Sequence, residues 1–120
     1  MFDDLDKQMI DYLAPLFDGA VVSTEVPTPR PDRLIRVMRT GNRRLSVAHR
    51  SVQYTVECWS TLGETDAERL ADRVEAVLSD WEMVPTGEDG WVSGPVPQRD
   101  PDTGCDRYIM TCAVIQFTND

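Results

Sequence analysis

The sequence predicts a two-layer α+β domain, in which two helices pack on one face of a mostly antiparallel sheet of four or five strands. Two amphipathic stretches with helical spacing predict the helices. Stretches rich in β-branched and aromatic residues, between and after the helices, predict the strands. A length of 120 residues is typical of one domain, so residues 1–120 are assigned to a single domain.

The first predicted element is a helix over residues 3–17. Its apolar residues recur at helical spacing and form one face: Leu5, Met9, Tyr12, Leu13 and Leu16. We expect Asp3 or Asp4 to cap the helix, because a carboxylate there accepts from otherwise unpaired backbone N–H groups. Pro15 has no backbone donor, so it is expected to bend or end the last turn.

Three extended segments follow the first helix. Residues 20–26 predict a short strand, and the proline-rich residues 27–31 predict a stiff connector that cannot pair inside a sheet. Residues 33–40 predict a second strand. Gly41 and Asn42 are typical of a turn, so we expect a loop to start there.

Residues 51–59 alternate cleanly between apolar and polar side chains, which predicts a half-buried strand. The core face is predicted to hold Val52, Tyr54, Val56 and Cys58, and the outward face Gln53, Thr55, Glu57 and Trp59. Together with residues 33–40, this strand predicts a hairpin. Its long loop, from Arg39 to Arg50, would carry a group of arginines.

The second helix is predicted over residues 66–79, where Thr65 and Glu68 match a capping box. Residues 82–105 are rich in Gly, Pro and Asp and predict loops, with one short strand at 91–93. Residues 106–118 form a last strand that is apolar on both faces. Such a strand is covered on both sides, and another subunit is a candidate for the second cover.

Positive charge is concentrated in one short region of an otherwise acidic chain, whose net charge is -9. Residues 30–50 carry seven of the 12 basic residues against Asp32 alone, a local charge of +6. These seven are Arg30, Arg33, Arg36, Arg39, Arg43, Arg44 and Arg50. Charge this one-sided favours binding to an acidic partner, either nucleic acid or the acidic remainder of another copy.

Catalytic chemistry is not indicated. His49 is the only histidine, and its nearest charged neighbours in sequence, Arg44 and Arg50, cannot accept a proton. The carboxylates of residues 100–106 lack the later glutamate of a calcium loop, so a turn is expected. Metal, cofactor and phosphate-loop motifs are absent. The sequence therefore predicts a non-enzymatic protein with no cofactor, no metal and no catalytic residues.

The N-terminal residues are acidic, unlike a signal peptide, and no apolar run is long enough for a membrane helix. We therefore expect synthesis in a cytoplasm and no membrane partner.

The chain resembles the tail terminator proteins (also called tail completion or tail-to-head joining proteins) of long-tailed bacteriophages with non-contractile tails, and most of all those of actinobacteriophages. Three stretches carry this resemblance: VPTPRPDRLIRVMRTGN, SVQYTVECWS running into ETDAERLADRVEAVL, and RYIMTCAVIQF. They span nearly the whole sequence. They match in the order of the elements and in residue identity rather than in a catalytic motif.

The resemblance implies a structural protein of the virion. Such proteins form a ring, usually of six copies, that caps the tail tube, stops its polymerisation and offers a surface to the head connector. The implied partners are further copies of the chain, the major tail tube protein and head–tail connector proteins. Genomic DNA would pass through the lumen without sequence-specific binding, and the protein would lie at the tail–neck junction after assembly in the host cytoplasm.

The candidate interface residues come from this sequence, because the family supplies none. They are Arg36, Arg39, Arg43, Arg44, Arg50 and Trp59, with Trp59 expected as an exposed apolar anchor beside the hairpin. Two alternatives stay open: another neck protein, such as a head–tail connector or minor tail component, and a small nucleic-acid-binding module using Arg36 to Arg50.

Overall fold

Five strands form one sheet, and two helices pack on one of its faces, in a computed structural model that describes residues 4–84 and 91–118. The elements are α1 (Leu5–Leu13), β1 (Val21–Ser23), β2 (Arg33–Arg44), β3 (His49–Ser60), α2 (Glu64–Ser79), β4 (Trp91–Pro97) and β5 (Asp106–Phe117). The strand order is β1-β2-β3-β5-β4; β1 runs parallel to β2, and the other pairs are antiparallel. The predicted fold class is confirmed.

The core lies between the helices and one face of the central strands. Val52, Tyr54, Val56 and Cys58 of β3 are fully buried there, so the predicted inward face of this strand is confirmed. They pack against side chains that α1 and α2 turn toward the sheet: Leu5, Met9, Leu13, Ala67, Leu70, Ala71, Val74 and Leu78. Burial of this apolar surface is the main stabilising contribution to the domain.

Helix α1 is shorter than predicted. Asp4 caps it by accepting a hydrogen bond from the backbone N–H of Lys7 at 3.2 Å, as expected, while Asp3 lies outside the described residues. Pro15 falls in a single 3-10 turn, Ala14–Leu16, because a proline cannot donate within a continuing α-helix. That tighter turn leaves Leu16 45% exposed, so its predicted place in the core is wrong and Phe17 is buried instead.

The predicted loop at Gly41 and Asn42 is wrong. Both residues lie within β2 and pair with β3, after a shift of register between Arg39 and Gly41. A bulge of this kind lets an extra residue into a strand without ending it. The true turn is 45–48, so the arginines assigned to a loop stand on paired strands.

Helix α2 starts at Glu64, two residues before the predicted start, and Gly63 is its N-cap with no side-chain hydrogen bond. The capping box of Thr65 and Glu68 is therefore wrong. Gly63 has φ of 118°, a left-handed conformation that glycine adopts without a steric penalty, and this turn brings the chain into the helix early.

Strand β1 is confined to Val21–Ser23, and β4 extends four residues beyond the predicted 91–93. Residues 85–90, part of the predicted loop, lie outside the described residues. On the second face of β5, Ala113 and Ile115 are buried within a single chain, whereas Phe117 is 64% exposed. Within residues 4–84 and 91–118, no helix has the length and hydropathy needed to span a membrane.

Candidate interaction surface

The hairpin of β2 and β3 reaches beyond the part of the sheet that the helices cover. Each strand has 12 residues, or about 40 Å at the usual rise, which nearly matches the 44 Å long axis of the molecule. The last core residue on β2 is Val37 and the first on β3 is Val52. Residues 43–50, which we name the hairpin tip, therefore lie past the end of the core.

Arg36, the first candidate residue, lies on the sheet face opposite the helices and belongs to a buried ionic cluster. It donates to Glu57 at 3.2 Å, and Arg107 donates to the second carboxylate oxygen of Glu57 at 3.1 Å. The Glu57 side chain is only 7% exposed. We name Glu57, Arg36 and Arg107 the glutamate cluster. Both of its ion pairs form between residues of the same chain.

Trp59 extends this cluster. Its indole N–H donates to Glu57 at 3.2 Å, and the guanidinium groups of Arg30 and Arg107 lie 4.7 and 5.0 Å from its ring centroid. Trp59 lies on the outward face, as predicted, but it is only 4% exposed. The expectation of an exposed apolar anchor is wrong, because the two arginines cover the ring through cation–π contacts.

Arg39 lies on the helix side of the sheet and links the hairpin to α1. It lies 3.8 Å from the Asp6 carboxylate and 3.5 Å from the Tyr54 hydroxyl, and that hydroxyl also donates to Asp6. Burial and the bond to Asp6 raise the pKa of Tyr54. Arg39 is thus held at the base of the hairpin and remains more than a third exposed.

The arginines of the hairpin tip have different surroundings. Arg50 donates to the Gln116 side chain at 3.0 and 2.7 Å and pairs in register with Arg44 on the facing strand. Arg43 and Arg44 are exposed. Burial, followed by repulsion from Arg39, lowers the pKa of Arg50. The sequence has no acidic residue between Arg39 and Glu57, so the hairpin itself contributes only positive charge at the tip.

Two apolar side chains at the tip were not predicted. Val47 in the turn is 87% exposed, and Phe117 at the end of β5 stacks on His49 with ring centroids 5.1 Å apart. The backbone N–H of Thr118 donates to Ala48 at 2.8 Å and holds the end of β5 against the turn. The sequence signal that could have identified Val47 is an apolar residue within a polar turn. Phe117 was missed because the sequence analysis placed it on a covered face of the last strand.

The outer edge of β2 is open beside the tip. Strand β1 pairs only with Leu34, Ile35 and Arg36, so in the described part of the chain the stretch from Val37 to Arg44 has no strand on that side. An open edge presents backbone N–H and C=O groups to another strand. Arg39, which is held by Asp6, and the exposed Arg43 and Arg44 lie on this stretch.

Within residues 4–84 and 91–118, no group of three His, Cys, Asp or Glu side chains is placed to hold a metal ion. Asp100 accepts hydrogen bonds from the Thr103 backbone and hydroxyl, at 3.2 and 2.5 Å, so it forms the expected turn. These bonds, the hydroxyl first, lower the pKa of Asp100.

Fold and surface together define a two-layer α+β domain with a basic hairpin whose tip also exposes apolar side chains. No protein-family model matches the chain, and the search of curated proteins found no match either.

Proposed function

We propose that this protein is a phage tail terminator, a structural protein that forms a ring on the end of the tail tube. The ring would stop tube polymerisation and present a surface for the head connector. The family resemblance of three long stretches of sequence supports this role. The hairpin tip, which combines arginines with exposed Val47 and lies beside exposed Phe117 of β5, is the observation that carries it.

In this proposal the tip docks on an acidic surface of the neighbouring subunit or of the tube protein. Arginine forks suit carboxylates geometrically, but exposed ion pairs are worth only about 0–1 kcal/mol each. Buried apolar surface has to supply most of the affinity, and Phe117 replaces Trp59 as the anchor. The arginines then select the partner and its orientation.

The charge distribution favours a head-to-tail arrangement of copies. The 99 residues outside 30–50 carry 20 acidic and five basic side chains, so a basic tip on one copy can meet an acidic surface on the next. Unlike surfaces that meet in this way close into rings when the rotation allows it. A hexameric ring at the tail–neck junction, with genomic DNA in its lumen, is the proposed assembly.

Deleting the gene from the phage tests this role. A tail terminator predicts overlong tails without heads in lysates examined by electron microscopy, because tube growth is no longer stopped. Filled heads together with free tails of normal length would instead assign the protein to the connector side of the neck.

Nucleic-acid binding is the competing function, and the basic tip is the observation that favours it. A module of this kind would bind a short DNA duplex with an affinity that falls steeply with salt, because phosphate contacts release counterions. We expect the wild-type chain to show no such binding at low salt. Binding that is lost in an Arg43→Gln/Arg44→Gln double variant would favour the nucleic-acid module.

A further inference from the structure

A cavity of about 460 Å³ lies between residues 16–20, which follow α1, and the first half of α2. Its size is within the range of ligand pockets. We name it the arginine pocket, and it is lined by Leu16, Phe17, Asp18, Gly19, Ala20, Arg33, Asp66, Arg69, Leu70 and Arg73.

One of its three arginines is already paired. Arg33 donates two parallel hydrogen bonds to Asp66, both at 2.9 Å, and Asp66 accepts a third from the Ser60 hydroxyl at 2.6 Å. Gly19 allows this close packing, since a Cβ there would lie 3.2 Å from a guanidinium nitrogen of Arg33. The Arg33–Asp66 pair forms a fixed wall of the pocket.

The other two arginines keep their charge available. Arg69 and Arg73 are exposed and lie four residues apart on α2, and among the described residues neither has a carboxylate within ion-pair distance. The Arg73 guanidinium lies 4.9 Å from the ring centroid of Phe17, which holds it at the rim. Like charges at this spacing are unfavourable in a helix, so a bound anion between them is favoured.

The floor of the pocket is apolar. Phe17 and Leu70 are buried at its base, and Leu16 exposes 45% of its surface beside them. Among the described residues, the pocket thus places two guanidinium groups without an ion-pair partner next to apolar surface. This combination suits a carboxylate side chain with an aliphatic neighbour.

We propose that the arginine pocket binds an acidic peptide segment of a partner protein, with a carboxylate between Arg69 and Arg73 and an apolar side chain on Leu16. A nucleic-acid backbone fits less well than a single carboxylate, because Asp18 and Asp66 also line the pocket and their repulsion grows with the number of negative charges on the ligand. The pocket does not include the hairpin tip, so the proposal stands apart from the tail terminator assignment.

The test is a titration followed by NMR of the labelled full chain. The probe is a capped pentapeptide, Gly-Leu-Glu-Leu-Gly, and its control carries Gln in place of Glu. We expect the backbone signals of Gly19, Ala20 and Leu70 to shift with a dissociation constant of about 1 mM, and the Gln peptide to bind about tenfold more weakly.

A matched pair of variants localises the binding. Arg69→Gln/Arg73→Gln should weaken binding of the Glu peptide about tenfold, because it removes the charged donors. Lys7→Gln/Arg99→Gln removes the same charge from two exposed cations elsewhere and should bind like the wild type.

Three outcomes would overturn the proposal: equal shifts with the Glu and Gln peptides, no shifts at the pocket, or equal weakening in both double variants. Inorganic phosphate and a short DNA duplex serve as further probes. Tighter binding of either at the same amides would show that the pocket recognises phosphate and would also overturn the proposal.

Discussion

The two ends of the same hairpin use arginine in different ways. At the base, Arg33 and Arg36 each pair with a carboxylate inside one chain, Asp66 and Glu57, in partly or fully buried geometry. At the tip, Arg44 stands opposite Arg50 beyond the core. Arginines at the base therefore stabilise the fold, whereas Arg44 at the tip is exposed and faces another arginine. Clustering in sequence did not distinguish these roles.

The largest effect on stability is expected at the base. Glu57→Gln removes the buried charge that both Arg36 and Arg107 contact on the sheet face opposite the helices, so we expect a loss of about 2 to 3 kcal/mol in the free energy of unfolding. Urea denaturation measures this change. Glu25→Gln, at an exposed position, is the control and should have little effect. Equal losses in the two variants would contradict the structural role of the glutamate cluster.

A smaller effect, dependent on pH, is expected at Asp66. The bidentate bond from Arg33, followed by the Ser60 hydroxyl, lowers the pKa of Asp66 to about 2 from an ordinary 3.8. The charged pair therefore stabilises the fold above about pH 4, and this contribution is lost as the pH falls toward 2. Asp66→Asn should cost about 1 kcal/mol at pH 7, since the pair is partly screened by solvent.

The measurement is urea unfolding of the wild type and Asp66→Asn at pH 7 and pH 3. The difference between the two proteins should shrink at the lower pH. A difference that stays constant would show that the charge of Asp66 contributes little.

The smallest effect on stability is expected at the tip. Arg43→Gln/Arg44→Gln should change the free energy of unfolding by less than about 0.5 kcal/mol, because exposed substitutions away from the core are usually near neutral. Arg44 faces Arg50 across the hairpin, and removing this repulsion would partly compensate for any stability that the substitutions lose. Thermal unfolding, monitored by circular dichroism, measures this change. A clear destabilisation would show that these arginines contribute to the stability of the fold.

The fold followed from the sequence where local patterns are sufficient. Alternation in β3 predicted that Val52 and Cys58 face inward, and helical spacing predicted both helices. Turn chemistry misled at Gly41, because pairing with β3 along the whole strand outweighs a local preference for a turn. Strand pairing is a long-range property, so a bulge inside a hairpin has no clear local signature.

The candidate site was predicted only in part for the same reason. Alternation gave the correct face for Trp59 but not its burial, which depends on Arg30 and Arg107, far from it in sequence. Phe117 reaches the tip because β5 pairs with β3 up to His49. The charge pattern did identify the hairpin, since it depends on composition alone.

Capping of purified tail tubes tests the central claim most directly. Electron microscopy should show wild-type protein at tube ends and an arrest of further polymerisation. The control variant Lys7→Gln/Arg99→Gln should cap the tubes like the wild type. Arg43→Gln/Arg44→Gln and Phe117→Ser should remain folded yet lose end binding. Wild-type protein that never binds tube ends, or tip variants that cap as well as the wild type, would contradict the account.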